Sequence, residues 1–225
     1  MEQSKVFDRA VQVACCPHLA TCREEFASVG GAMPLPIPAP DYVGPNYRGL
    51  VIIAGNPGLA HSGIHLQNDA KMIALQTRVA AGDQAAFQRL MSFLPESMAH
   101  WPQMVNTSAR KRLRYDITEI AYVEVVKCAT RPLGSDLRKL FKGTGVLSRC
   151  WETHTRALLE ELAPTHIVAL WKPIIPMLRS LGYEFLSDES RIGAYNGSRS
   201  LNLDQRFADV VRVFDSHRSA GILQV

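Results

Sequence analysis

Apolar residues are spaced in two ways along this chain, and the two spacings predict strands that alternate with helices. Runs of consecutive apolar or β-branched residues predict buried strands over 50–54, 120–128, 165–170 and 208–214. Apolar positions that recur about every 3.6 residues predict helices over 3–14, 68–82, 83–94, 146–162 and 173–182. Because this alternation is typical of parallel sheets covered on both faces, we expect a three-layer α/β/α fold around a central, mostly parallel four-stranded sheet.

Two segments fall outside this pattern. Residues 30–49 contain five prolines, which fix φ and remove N–H donors, so we expect an ordered extended loop there. Residues 129–149 form an insert between Cys128 and Cys150. The chain has 225 residues and no internal repeats, and it is predicted to fold as a single domain over 1–225.

The composition is that of an ordinary globular protein, with 47% hydrophobic and 20% charged residues. No apolar run approaches the roughly 20 residues that span a bilayer, so no membrane partner is expected. The opening residues, MEQSKVFDRAVQVACC, lack the apolar stretch of a secretion signal, which predicts a cytoplasmic location, at the nucleoid if the partner is DNA. A net charge of +4 is compatible with a polyanionic partner, and we expect a monomer.

Candidate chemistry is concentrated where the predicted strands end, because ligands of parallel sheets bind at the carboxyl ends of the strands. The strand over 50–54 runs into AGNPGLAHSG, although Asn-Pro-Gly is by itself also a good turn. The strand over 120–128 ends in Lys-Cys. The strand over 208–214 runs into FDSHRSAG, which places His217 and Ser219 at a strand end. We expect these groups to converge on one edge of the sheet.

The five cysteines are unevenly distributed: three lie near the N-terminus and two lie far downstream. They are Cys15, Cys16, Cys22, Cys128 and Cys150. Disulfides are a poor explanation in a reducing compartment. The distribution indicates either a shared site or buried thiols that act as small hydrophobic side chains.

Taken in order, these segments resemble the motifs of the uracil-DNA glycosylase superfamily over roughly residues 10–220. LVIIAGNPGLAHSG resembles the first motif, G-x-N-P-G after the first strand, of the mismatch-specific and single-strand-selective branches. YVEVVKC and CWETHTRALLEELAPTHIVAL resemble the next motifs of the iron–sulfur branches, and VFDSHRSAG resembles a last motif of a strand followed by H-P-S. The resemblance implies a DNA glycosylase that hydrolyses the N-glycosidic bond of uracil, or of a related deaminated base, to start base-excision repair.

The resemblance also implies a [4Fe–4S] cluster, for which thiolates are the required ligands. Its ligands would be Cys16, Cys22, Cys128 and Cys150. The N-terminal spacing departs from C-x-x-C-P-x-L, because Val13 stands where the first cysteine is expected. Cys16 therefore matches the second cysteine of the family, and Cys22 would supply the remaining N-terminal ligand, with Cys15 as the alternative. Zinc is the alternative metal for four thiolates.

Excision requires a base flipped out of the stack, a positioned water and a donor to the O2 charge that develops on the leaving base. By resemblance, Asn56 holds the water, His217 donates to O2, and the small loop lets the base approach its backbone. The remaining residues assigned to substrate are Gly55, Pro57, Gly58, Leu59, Ala60, His65, Glu124 and Ser219.

Three positions depart from the family pattern. Glu124 replaces the asparagine that recognises uracil, and its alternative interpretation is a structural or ion-paired residue. The aromatic residue that stacks on uracil is missing, and His65, Tyr47 or Tyr42 could replace it. The last motif has H-R-S in place of H-P-S; we prefer His217 there, and Asn196 with Ser198 in YNGSR is the alternative.

Contacts with DNA are predicted for a set of polar and basic residues, which would make the affinity fall with salt. The set is Ser62, Arg110, Lys111, Arg112 and Arg218. The basic run over 109–114 could instead be a solvated helix end, and Lys139, Lys142 and Arg149 are further candidates.

Two other functions remain as hypotheses. The chain could hold uracil-containing or abasic DNA without turnover, or it could be an unrelated α/β nucleotide-binding module whose loop cradles a phosphate. It lacks G-x-G-x-x-G and a Walker-type loop, which disfavours the second.

Overall fold

The structure, a computed structural model, describes residues 2–28, 37–55, 64–97, 114–129, 143–183, 192–194, 205 and 208–221. The described strands are β1 (Ile37–Pro38), β2 (Tyr42–Val43), β3 (Leu50–Ala54), β4 (Ile120–Glu124), β5 (Cys128–Ala129), β6 (His166–Ala169) and β7 (Ile192–Ala194). The described α-helices are α1 (Gln3–Ala14), α2 (Leu19–Ser28), α3 (Ile64–Ala80), α4 (Gln84–Ser97), α5 (Val146–Cys150), α6 (Arg156–Leu162), α7 (Ile175–Ser180) and α8 (Ala208–Ser219). A π-helical turn, Trp151–Thr155, joins α5 to α6, and 3₁₀ turns cover Ile117–Glu119 and Lys172–Ile174.

The chain divides into two compact units, which are described separately. The first comprises Met1–Tyr42, Asn56–Ala99 and Glu124–Leu162. The second comprises Val43–Gly55, His100–Val123 and Ala163–Val225.

A five-stranded sheet of order β2-β4-β3-β6-β7 forms the main sheet of the described residues. β3, β6 and β7 are parallel, with Ile53 opposite Ala169 and Ala169 opposite Ala194. The carboxyl ends of these strands therefore lie at one edge of the sheet, which we call the carboxyl edge. Leu50–Ile53 of β3 and all of β6 are buried, as expected for apolar strands of a parallel sheet covered on both faces.

The predicted α/β architecture is confirmed, as are the strands over 50–54 and 165–170. The described sheet has five strands and not the four that the sequence predicts. The sequence pattern missed β2 and β7, which are only two and three residues long. Such short strands do not show an apolar run or an alternation in the sequence.

The strand predicted over 208–214 is wrong, because this segment belongs to helix α8. Its buried residues, Val210, Val213, Phe214 and His217, have the i, i+3, i+4, i+7 spacing of one helix face. The Val-rich composition favours a strand locally, but burial of this face in the tertiary structure selects a helix.

The strand predicted over 120–128 is broken in two. β4 ends at Glu124, and Cys128 belongs to β5, which pairs with β1 in a separate antiparallel sheet. The proline-rich segment over 30–49 thus contributes two short strands to the described residues, β1 and β2.

Helices form most of the first unit. α1, α3 and α4 pack together, with the rings of Phe7 and Phe87 in an edge-to-face contact at 5.4 Å between centroids. The helices predicted over 3–14 and 146–162 are confirmed, the latter with a π-helical turn at its centre, whereas α2 was not predicted. None of the helices in the described ranges combines the length and the apolar content needed to cross a bilayer.

Candidate functional site

The cysteines that are far apart in the sequence are brought together in the first unit. Cys22 on α2, Cys128 on β5 and Cys150 on α5 are buried in one cluster with Phe26, Val126 and Val146. Cys16, in the turn before α2, is half-buried. We call Cys16, Cys22, Cys128 and Cys150 the thiol site.

Burial and repulsion from neighbouring thiolates oppose ionisation of Cys16, Cys128 and Cys150. Burial raises the pKa of Cys150 to about 11 and raises the pKa of Cys128 well above its ordinary value. Charge on Cys22 and Cys16 raises the pKa of both thiols further, and burial also raises the pKa of Cys16. The thiols of the site therefore lie within electrostatic range of one another, and an ionised set requires a compensating positive charge such as a metal centre.

Three of the four sulfurs of the thiol site have a nitrogen donor group beside them. The contacts are Lys127 N–H to Cys150 Sγ at 3.5 Å, Arg149 Nη1 to Cys22 Sγ at 3.3 Å, and His154 Nε2 to Cys16 Sγ at 3.2 Å. Thiolates of iron–sulfur sites are stabilised by such donors, whereas a thiol that only fills a core requires none.

His154 lies in the π-helical turn and is buried. Burial, helped by the charges of Lys127, His18 and Arg9, lowers its pKa to about 4. The imidazole is therefore neutral at neutral pH and keeps one N–H, which the tautomer with the proton on Nε2 would donate to Cys16. Beside it, a surface cavity of about 380 Å³ is lined in part by Cys15, Pro17 and Thr153.

Arg149 connects the two helices that carry Cys22 and Cys150. Its guanidinium donates to both carboxylate oxygens of Glu25, at 3.1 and 2.9 Å, while Nη1 also reaches Cys22. A fork of this kind fixes both position and direction. The hydrogen bond from Arg149 also lowers the pKa of Glu25 below its ordinary value.

Four thiolates are a ligand set that both an iron–sulfur cluster and a zinc ion accept. Within the described residues, no group of three or more His, Cys, Asp or Glu side chains could hold a metal ion as it stands. One zinc ion requires its sulfurs at about 2.3 Å from a single point.

Glu124 is buried at the end of β4, and charged groups hold its backbone. Its N–H donates to Asp41 Oδ1 at 2.9 Å, and its carbonyl accepts from Lys127 Nζ at 2.5 Å. Lys127 and Asp41 form a buried ion pair at 2.7 Å. The interpretation of Glu124 as a structural residue and its assignment to substrate both agree with this position.

In the second unit, Gly55 and Trp171 meet at the carboxyl edge. A Cβ on Gly55 would lie 3.2 Å from Cδ2 of Trp171 and 3.4 and 3.5 Å from the ring atoms beside it. All three bonding partners of Cδ2 lie in the plane of the indole, so another atom can approach Cδ2 closely only from above or below that plane. The indole therefore presents its face to Gly55. A side chain at position 55 would require the indole or the strand end to shift by a few tenths of an ångström. Trp171 itself is half-buried.

His217 does not lie at a strand end. It is 1% exposed on α8, and its Nδ1 is 2.5 Å from Nε2 of His166. His166 is the first residue of β6 and pairs with Leu50, the first residue of β3. The two histidines therefore lie beside the amino ends of β3 and β6, and the prediction that His217 lies at the carboxyl end of a strand is wrong.

Ser219 and Arg218 are engaged within α8. Ser219 Oγ donates to the Asp215 carbonyl at 2.9 Å, and Arg218 Nη1 donates to the Asp215 carboxylate at 2.8 Å. Of the tyrosines considered for stacking, Tyr42 is buried and Tyr47 has a buried hydroxyl.

Many of the predicted site residues lie outside the described residues. These are Asn56, Pro57, Gly58, Leu59, Ala60, Ser62, Lys139, Lys142, Asn196 and Ser198, with Arg110, Lys111 and Arg112 of the basic run. His65 lies in α3, and its side chain is outside the described part of the structure.

Sequence reasoning missed residues that the structure brings to these sites. Trp171 directly follows the strand predicted over 165–170, so the strand-end rule could have found it. Lys127, a charge inside an apolar run, indicates a buried partner, but nothing local identifies Asp41. For His154, which lies in a predicted amphipathic helix, no feature of the sequence indicates that it lies beside a cysteine.

The chain was also compared with known proteins. No protein-family model matches it, and no curated protein matches it.

Proposed function

We propose that this protein is a DNA glycosylase that removes uracil, or a related deaminated base, from DNA and contains a [4Fe–4S] cluster. One observation carries the proposal: cysteines from two distant parts of the sequence meet in one site, with nitrogen donors beside three of the sulfurs. The motif resemblance implies this set of ligands. Buried thiols that are merely hydrophobic give no reason for the donors.

Cys16, Cys22, Cys128 and Cys150 would hold the cluster. When bound, the cluster supplies positive charge to four thiolates and joins the segments that carry them. Cys15 is exposed, and its thiol donates to the Ala80 carbonyl at 3.6 Å, which favours Cys16 and Cys22 as the two N-terminal ligands. Zinc is the alternative occupant.

We assign the base-excision chemistry to residues that follow strands at the carboxyl edge. Asn56 directly follows Gly55, and we propose that its amide positions the attacking water. Asn196 is two positions after Ala194, the last residue of β7, whose carboxyl end is at the same edge as that of β3. We therefore transfer the stabilisation of the O2 charge from His217 to the Asn196 amide, which can donate a hydrogen bond.

Glu124 takes the role of base recognition in this proposal. A carboxylate accepts a hydrogen bond from uracil N3–H, whereas it repels O4 unless it is protonated. Partly exposed at the carboxyl edge, Trp171 offers an aromatic surface for stacking.

We further propose that the protein binds DNA, that it is a cytoplasmic monomer, and that its helices and sheet form a three-layer α/β/α arrangement.

A protein that binds uracil-containing or abasic DNA without turnover is the second candidate. The observation that favours it is the position of His217, which removes one of the two catalytic groups expected from the motifs. The protein would then still bind DNA while it excises bases slowly or not at all.

The test is a purification under anaerobic conditions followed by two measurements on the same sample. We expect a brown protein with iron and acid-labile sulfide that cleaves a uracil-containing oligonucleotide after alkali treatment. A colourless active protein would contradict the cluster, and a brown protein that binds but never cleaves would support the binding protein. Asn56→Ala is the matched control for contaminating activity.

A further inference from the structure

The Asp41–Lys127 ion pair is unusual because both charges are buried in the first unit. The side chain of Lys127 is 2% exposed and that of Asp41 is 8% exposed. Removing two charges from water costs free energy that their attraction often fails to recover, and a well-packed apolar pair would be at least as stable. Such a pair can instead fix the geometry of the groups that it bonds.

The pair holds one residue from both sides. Lys127 Nζ donates to Asp41 Oδ1 at 2.9 Å and Oδ2 at 2.7 Å, and to the Glu124 carbonyl at 2.5 Å. Asp41 Oδ1 also accepts the Glu124 N–H at 2.9 Å. The N–H and the carbonyl of Glu124 are thus both bonded to one ion pair, which we call the Asp41–Lys127 clamp.

Fixing both peptide groups of Glu124 fixes the direction of its Cα–Cβ bond at the end of β4. The clamp also reaches the thiol site, because the Lys127 N–H donates to Cys150 Sγ at 3.5 Å. Neither residue needs to touch the substrate to act in this way.

We propose that Asp41 and Lys127 are positioning residues that set base selection by orienting Glu124. This inference rests on the proposed function, in which Glu124 recognises the base. The clamp holds the carboxyl group where it meets the N–H donor of the correct base, and a misplaced carboxyl loses discrimination before it loses the chemical step.

The test compares two double variants. Asp41→Leu with Lys127→Met (D41L/K127M) removes both charges while filling the space, which avoids a lone buried charge. D41N/K127M differs from it only at position 41, where the Asn oxygen can still accept the Glu124 N–H. Arg9→Gln with Glu161→Gln removes a more exposed ion pair of the same unit and is the matched control.

Two readouts are measured on the full chain. Steady-state kinetics on oligonucleotides with uracil or cytosine give the preference between bases, because cytosine N3 carries no hydrogen for the Glu124 carboxylate to accept. Hydrogen exchange gives the protection of the Glu124 amide. In D41L/K127M we expect the preference for uracil over cytosine to fall about 10-fold to 100-fold. We expect KM for uracil to rise by a larger factor than kcat falls, and the Glu124 amide to exchange fast. D41N/K127M keeps an acceptor for the Glu124 N–H and loses the donor to its carbonyl, so it should keep most of the amide protection and lose part of the preference. The control should retain both.

Unchanged preference and unchanged Glu124 protection in D41L/K127M would overturn the inference. If the wild-type protein excises no base, the proposed function fails, and the exchange measurement then decides alone whether the clamp positions Glu124. If D41L/K127M does not fold, Asp41→Asn is compared with wild type by the same two readouts.

Discussion

At the scale of single residues, His217 shows how burial decides what a side chain can do. It is buried against His166, whose ring also packs on Phe214 at 4.9 Å between centroids. A side chain in this position contributes packing and a buried hydrogen bond, which are properties of a residue that stabilises the fold.

His217→Ala and Asn196→Ala are expected to have opposite effects. The first should lower the free energy of unfolding by roughly 2–4 kcal/mol, through a cavity and an unsatisfied imidazole, while specific excision activity stays near wild type. The second should reduce excision about 100-fold or more without a comparable loss of stability. Denaturant titration and oligonucleotide cleavage measure both, and loss of excision at unchanged stability in His217→Ala would restore the original assignment.

Gly55 gives a second prediction at this scale. In Gly55→Ala the new Cβ would lie 3.2 Å from the Trp171 ring, so the indole or the strand end must shift. We expect a loss of about 1–2 kcal/mol in unfolding free energy and a rise in KM. Gly143→Ala is the control, because nothing lies within 4 Å of its Cβ position. Equal stability of the two variants would contradict the close approach.

At the scale of elements, α2 and α5 are joined by the fork between Glu25 and Arg149. The side chains of the pair are 25% and 23% exposed, so solvent weakens but does not remove their attraction. Because Arg149 also reaches Cys22, the fork aligns the two helices that supply thiols from distant parts of the sequence.

Glu25→Gln should therefore reduce stability in a pH-dependent way. The pKa of Glu25 is lowered in the folded protein, so its contribution is present above the ordinary glutamate pKa and is lost as the pH falls through the folded value. At neutral pH we expect a loss of about 0.5–1 kcal/mol, which disappears in acid where the wild-type carboxyl is protonated. Glu24→Gln, at the neighbouring position, controls for the charge change. A loss that is independent of pH would refute the role of the carboxylate.

At the scale of the whole molecule, the thiol site belongs to one compact unit and the carboxyl edge of β3, β6 and β7 to the other. A cluster that joins α2, β5 and α5 would stabilise the first unit directly, since removing a bound metal centre releases the segments that hold it.

Removal of iron is expected to act unevenly along the chain. After reduction and chelation, hydrogen exchange should accelerate in α2 and α5 more than in β3 and β6, and the thermal midpoint should fall. Cys128→Ser should show the same pattern without chelation, and Cys15→Ser should not. Uniform acceleration, or none, would contradict a cluster held by the thiol site.

Much of the fold could be predicted because its information is local. The apolar runs of β3 and β6 and the helical periods of α1 and of the segment over 146–162 depend only on near neighbours in the sequence. The grouping of the cysteines could be suspected from their number and from the order of the motifs, since thiols shared by one site leave a visible pattern.

The tertiary structure alone decided the rest. Residues 208–214 satisfy both a strand composition and a helical spacing, and only burial of Val210, Val213 and Phe214 on one face selects the helix. Because this segment is a helix, His217 lies away from the carboxyl edge.

The local sequence likewise does not identify the partner of a buried charge. Lys127 and Asp41 are 86 positions apart, and no local pattern relates them. The sequence by itself determined which segments are strands and helices wherever the pattern was regular, together with the residue types available for chemistry. Folding determined which of these residues meet, because contacts between distant segments depend on packing and desolvation across the whole unit.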